Sequence, residues 1–179
     1  MELGLVDRIT ADAIGEPGMR TFYLQARAGE ELVTVIVEKE QVELLARSVL
    51  ELLADVADET ELTGSDEDAL TLEEPLDPRW RAGRLSIGFD HEQDRFLLEI
   101  DEFTPEADEE GEEEDPRSLV PEEPESISLW ASREQMLALA RHGDVVVTRG
   151  RPRCQFCGNP IDPEGHACPA TNGHRKPRD

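Results

Sequence analysis

No apolar run in these 179 residues approaches the length that crosses a bilayer, and the opening Met1–Asp7 has neither the basic stretch nor the apolar stretch of a secretory signal. Helical membrane spans are therefore excluded, and a cytoplasmic location is expected. Basic residues are scarce: 18 lysines and arginines against 42 aspartates and glutamates leave a formal net charge of −24. Such a charge favours solubility and opposes nonspecific contact with nucleic acid or an anionic membrane surface. Cysteine is scarcer still. There are three, an odd number, all in the last quarter of the chain. A clustered, odd set without an export signal is not a disulfide framework and points instead to reduced thiolates on a metal.

What is present fits one globular domain with a small satellite and is too short for two large domains. Two stretches, Phe22–Ala26 and Leu32–Val37, are rich in β-branched and aromatic residues and flank Arg27–Glu31, which predicts a β-hairpin over 20–37. From about Glu40 to Ala57, Val42, Leu45, Val49, Leu52 and Val56 recur at spacings of three and four, the pattern of an amphipathic helix with one buried stripe. A second hairpin is expected from Leu85–Phe89 and Arg95–Ile100 around Asp90–Asp94, with Ile127–Trp130 as a further strand. A second helix then begins at Ser132-Arg133-Glu134-Gln135, a capping box, with Met136, Leu139 and Val146 on its apolar face. Its end is harder to place, because Gly143 and Val145–Val147 both weaken helical propensity.

The two helices share an echo, Glu40–Arg47 against Glu134–Arg141, and each follows a hairpin. The expected fold is α+β: two related hairpin-plus-helix units (20–57 and 84–148) forming one antiparallel sheet packed on helices, in a body spanning 1–150, followed by a small zinc-ribbon-like knuckle in a tail spanning 151–179. Residues 58–75 read as a polar link between the units. Residues 104–125 carry eleven acidic residues against the single Arg117, with Pro105, Pro116 and Pro124 among them. That composition buries too little apolar area to offset the entropy of ordering, so a disordered acidic loop is expected, a solvated insertion more than a lure for a basic partner. The charge is uneven: residues 149–179 hold six basic and three acidic residues, leaving +3 there and −27 in what precedes it. Such a tail can dock on its own acidic body or present a basic patch to a partner.

The most specific chemistry lies in that tail. Cys154-Gln155-Phe156-Cys157-Gly158 has two sulfurs separated by two residues, a spacing at which the intervening backbone curls so that both grip one tetrahedral ion. The competing reading, a redox dithiol, requires neither of the downstream ligand candidates. Asp162-Pro163-Glu164-Gly165 then matches a type I turn, so the chain reverses and brings His166 and Cys168, two residues apart on one side of a return strand, toward the knuckle. His174, beyond the turn-prone Asn172-Gly173, competes with His166 for the fourth place. His166 is favoured because a strand pair needs less ordering than a ligand recruited from the chain end. The expected metal set is Cys154, Cys157, His166 and Cys168, with His174 as the alternative to His166 and a structural Zn2+ as the ion.

The segment Arg151–Pro169, with Asn172-Gly173 beyond it and Trp80-Arg81-Ala82-Gly83 before the second hairpin, resembles an uncharacterised actinobacterial family, a domain of unknown function of about 180 residues. The resemblance covers nearly the whole chain. It implies an aromatic is accepted where His174 stands, which leaves His166 as the ligand, and it implies no activity.

Three functions compete. If all four positions are protein side chains, the zinc is closed to substrate and staples a segment too small to fold alone, which fits a non-enzymatic interaction or adaptor module with another protein as its partner. A zinc-dependent hydrolase needs an open metal position, with Glu164 or a free His174 serving a bound water, and catalytic zinc sites rarely use three thiolates. A nucleic-acid-binding zinc ribbon is opposed by the acidic body and by a tail whose one aromatic is Phe156. His91, in a hairpin turn, and His142, on a helix, read as ordinary surface or boundary residues.

Overall fold

Alternation of side chains across the pleat places Ile9 and Ala11 inward and Arg8 and Asp12 toward the other face, and in the computed structural model Arg8–Ile14 is a strand. The structure describes residues 1–56, 70–104, 124–149, 154–159, 161, 165–166 and 168–169. Its elements run β1 (Glu2–Leu5), β2 (Arg8–Ile14), β3 (Thr21–Ala28), β4 (Glu31–Val37), α1 (Lys39–Asp55), β5 (Pro78–Asp90), β6 (Arg95–Glu102), β7 (Ser126–Ala131) and α2 (Arg133–Thr148). Both expected hairpins, the strand at 127–130 and both helices are present.

The strands form one seven-stranded sheet in the order β1-β7-β6-β5-β4-β3-β2. Its pairing corrects the expected antiparallel arrangement: β1 lies parallel to β7 and β4 parallel to β5, while the other four pairs are antiparallel. The elements also reach beyond the expected units. β1 and β2 precede residue 20, and β5 begins at Pro78, ahead of 84. Although β1 and β2 stand at opposite edges of the strand order, only Val6 and Asp7 separate them. The Val6 N–H donates to Trp130 C=O on the β7 side (2.9 Å), and the Asp7 N–H donates to Arg27 C=O on β3 (2.8 Å). The sheet therefore curls until its two edges are successive pieces of one strand. β5 does the same in mid-chain, lying beside β4 over Pro78–Arg81 and beside β6 from Ala82 to Asp90.

The curled sheet and both helices share one core. Leu24 and Val35 from the first half meet Phe96, Leu98 and Leu129 from the second, together with Val49 of α1 and Met136 of α2, all at most 2 % exposed. Burying each such side chain contributes about 1.5–3 kcal/mol. The helices approach closely at Gly143, where an added Cβ would lie 3.1 Å from the Val42 Cγ1 of α1. That contact explains why α2 runs through Gly143 and the β-branched Val145–Val147: Val146 and Val147 are buried, and tertiary packing overrides weak propensity. Each helix also holds the strand opposite its start with a glutamine. Gln41 Nε2 donates to the carbonyls of Ala82 (3.3 Å) and Gly83 (2.9 Å) on β5, and Gln135 Nε2 donates to the Val6 carbonyl between β1 and β2 (2.9 Å).

Part of the expected polar link is a structural strap. Thr10, Gln25 and Thr34 stand in register across β2, β3 and β4 and are at most 2 % exposed. Residues 70–73 cover them: Gln25 exchanges bonds with the Glu73 backbone in both directions (3.0 and 2.8 Å) and donates to Thr34 Oγ1 (3.0 Å), Thr10 Oγ1 donates to Leu70 C=O, and the Glu73 carboxylate faces Arg8 and Arg27. Of the expected acidic loop, residues 105–123 lie outside the described residues. Its two ends are joined where Glu102 N–H donates to Glu125 C=O (2.8 Å). Among the described residues, no helix is long and apolar enough to cross a membrane.

Candidate metal centre

The first half of the centre is built by its own backbone. Residues 155–157 turn, Gly158 N–H donates to Cys154 C=O (2.8 Å), and Cys154 N–H donates to Asn159 C=O (2.8 Å), closing a loop around the two thiols. Gly158 takes φ +73°, a conformation costly for a residue with a Cβ, so glycine follows the second cysteine for a steric reason. The Phe156 N–H points at Cys154 Sγ (3.4 Å). Gly165, at φ +93°, then delivers His166. The intervening Asp162–Glu164 of the expected turn lies outside the described residues.

The structure brings together Cys154, Cys157, His166 and Cys168, with all four candidate ligand atoms within 4.8 Å of one another. Cys154 Sγ lies 3.8 Å from Cys168 Sγ, and Cys157 Sγ lies 3.2 Å from His166 Nε2. A tetrahedral ion with metal–sulfur bonds of about 2.3 Å and metal–nitrogen bonds of about 2.0–2.1 Å sets sulfurs about 3.8 Å apart and sulfur from nitrogen by about 3.5 Å. The donor set is thus shaped for one small ion and could hold it. A disulfide would need sulfurs about 2.05 Å apart, and all three cysteines are free. Cys154 is buried, whereas Cys157, His166 and Cys168 are half-buried. His174 and Glu164 lie outside the described residues.

The thiols are already electronically unequal. The backbone N–H of Phe156, then that of Cys157, draws the Cys154 thiol down to about 7, since donors stabilise a thiolate. Cys157 also receives a backbone donor at Asn159, which pulls it down, yet desolvation and the neighbouring Cys168 and Cys154 sulfurs leave it raised overall. Cys154 and Cys157 do not both ionise readily without a counter-charge, which a divalent cation would supply. Spacing pointed to the motif's cysteines and offered His166 and His174 as alternatives, of which His166 lies in the cluster. The backbone donors that tune the thiols were not legible, because main-chain direction leaves no mark on residue identity.

Among the described residues, the other histidines, His91 and His142, are not members of this cluster. His91 is exposed in the β5–β6 turn, edge-on to Phe89 with ring centroids 5.0 Å apart. His142 lies on α2 with its Nε2 3.8 Å from the Asp12 carboxylate on β2.

A mixed α+β chain with a single curled sheet, two helices and a Cys3His cluster near its end is the class defined here. The chain belongs to the family described as protein of unknown function (DUF3090), whose profile matches residues 1–168. No curated protein and no solved structure matches it.

Proposed function

We propose that this chain is a non-enzymatic, cytoplasmic protein-interaction module whose tail, 151–179, is folded by a structural zinc ion held by Cys154, Cys157, His166 and Cys168 in a ribbon-like knuckle. The observation that carries the reading is the convergence of three sulfurs and one imidazole nitrogen within 4.8 Å. Four protein ligands satisfy a tetrahedral ion completely, which is the pattern of a staple and not of a Lewis acid with a place for substrate. A tail rich in proline and charge has little apolar surface of its own, so ligand bonds supply the folding free energy. With five basic residues against three acidic ones beside a body of net charge −26, the tail is an electrostatic contrast that a protein partner can read.

The body, in this reading, is a duplicated unit. The support is that Gln41 and Gln135, at matching places in the helical echo, each tie a helix start to the midpoint of a strand shared between the halves.

The test is metal analysis of protein purified under reducing conditions, followed by zinc-edge X-ray absorption. Stoichiometric zinc with three sulfur and one nitrogen neighbours is expected. An oxygen neighbour would favour an open, hydrolytic site, and absence of metal would overturn the reading. Affinity capture with wild type beside a Cys154→Ser, Cys157→Ser chain then shows whether a partner depends on the folded tail.

A further inference from the structure

We infer that the cleft between α1 and the free edge of β5 binds an extended peptide by strand addition, the peptide carrying apolar side chains at alternate positions and lysine or arginine beside them. The inference builds on the interaction-module reading but uses a surface of the body whose lining includes none of the metal ligands.

The edge follows from the ladder. Glu102 N–H donates to Glu125 C=O on the β7 side, so the even-numbered residues of β6 bond toward β7 and the odd-numbered ones, Leu97, Glu99 and Asp101, bond toward β5. Their partners are Gly88, Ser86 and Arg84. The N–H and C=O groups of Leu85 and Ile87 therefore face the opposite edge. β4 covers that edge only over Pro78–Arg81, and among the described residues no strand pairs with it at Leu85 and Ile87. Gln41 of α1 caps the Ala82 and Gly83 carbonyls, which places the helix start beside the edge and leaves the groups beyond it facing the cleft.

The cleft walls are the Leu44, Leu45 and Ser48 face of α1 and the Leu85 and Ile87 side chains of β5, enclosing about 250 Å3. That is below the roughly 300–1,000 Å3 of small-molecule pockets and suits the alternate side chains of a strand. The other half of the molecule shows what closure looks like. There α2 packs on β2, and Ile9 and Ala11 are 2 % and 0 % exposed, whereas Leu85 and Ile87 are half-buried and Leu44 is 50 % exposed.

Charge selects the occupant. Arg84, the charged residue in the cleft lining, already faces Asp101 at 2.9 Å, and Glu40 and Glu43 are exposed on the helix that forms the other wall. With its lining arginine already paired, the cleft belongs to a chain of net charge −24, so a basic strand is attracted and an acidic one repelled.

Fluorescence anisotropy on the full chain with a labelled synthetic peptide of alternating valine and arginine tests this, with an alternating valine–glutamate peptide as control. Saturable binding of the basic peptide alone is expected, weakened about tenfold or more by Leu44→Arg on the half-exposed cleft wall and unchanged by Met19→Arg elsewhere on the surface. On binding, amide exchange at Leu85 and Ile87 should slow, a mark of strand addition that loose electrostatic contact would not produce. Binding should persist after chelation, which separates failure of this proposal from failure of the zinc reading. Equal binding of the acidic peptide, indifference to Leu44→Arg, unchanged exchange at Leu85 and Ile87, or a cleft occupied by a second copy of the chain would overturn it.

Discussion

The body and the tail knuckle hold themselves together by opposite means. In the body, apolar side chains from seven strands and two helices share one core, and backbone ladders join strands distant in sequence. In the knuckle, Phe156 is 67 % exposed, and what converges is three thiols and an imidazole. One region is stabilised by burial and therefore by the whole chain; on the function proposed above, the other is stabilised by ligand bonds and therefore by one ion. Cooperative unfolding of the body should be blind to metal, and the tail should be blind to most core mutations.

The largest expected effect is on the tail. Cys154→Ser with Cys157→Ser should abolish metal retention, because structural zinc binding is worth about 10–16 kcal/mol in comparable small sites and half the ligands are gone. Heteronuclear NMR should show collapsed dispersion for residues after 153 with the body's resonances in place. Parallel loss of the body's signals would erase the contrast between the two regions. Next, Phe96→Ala should cost about 3–5 kcal/mol by opening a cavity at a fully buried site, lowering the body's denaturant midpoint while zinc content stays stoichiometric.

Smaller changes sharpen the contrast inside the body. Gln25→Ala should cost about 1–3 kcal/mol, since the Glu73 backbone N–H and C=O lose their partner under the strap. Proteolysis near residues 70–73 should accelerate more than the global midpoint falls. The smallest effect belongs to Asp90, whose carboxylate accepts from the N–H groups of Gln93 (3.1 Å) and Glu92 (2.8 Å) and is held below the usual carboxylate range chiefly by those bonds. A depressed folded value means stability that is present above the unfolded carboxylate range and lost as pH falls through the folded value. Asp90→Ala should therefore lower stability slightly at neutral pH, flatten the acid limb of the stability curve, and leave stability below the folded carboxylate's range nearly unchanged in pH-dependent denaturation.

What could be read in the sequence divides along the same line. Helix α1 was visible because Val42, Leu45 and Val49 repeat at helical spacing, and all three are buried. The start of α2 was visible because Ser132 and Gln135 form a local reciprocal cap, with Ser132 N–H to Gln135 Oε1 at 2.8 Å and Gln135 N–H to Ser132 Oγ at 3.2 Å. The ligand cluster was visible because Cys154 and Cys157, two of its three cysteines, sit at knuckle spacing. The parallel pairings β1–β7 and β4–β5 were not, because they join segments far apart and depend on how the sheet curls. Strands β1 and β2 were passed over although Ile9, Ala11 and Ala13 alternate with polar residues. The strap was hidden for another reason: Thr10, Gln25 and Thr34 look like a solvent-facing stripe, and only the covering segment 70–73 makes their burial acceptable.

The central claim is that one metal ion bridges Cys154, Cys157, His166 and Cys168 and that the tail's order depends on it. Zinc-edge absorption on the purified full chain tests it most directly. Three sulfur neighbours near 2.3 Å and one nitrogen near 2.0–2.1 Å are expected, whereas a metal-free chain, or one whose metal sees oxygen in place of the imidazole, would contradict it.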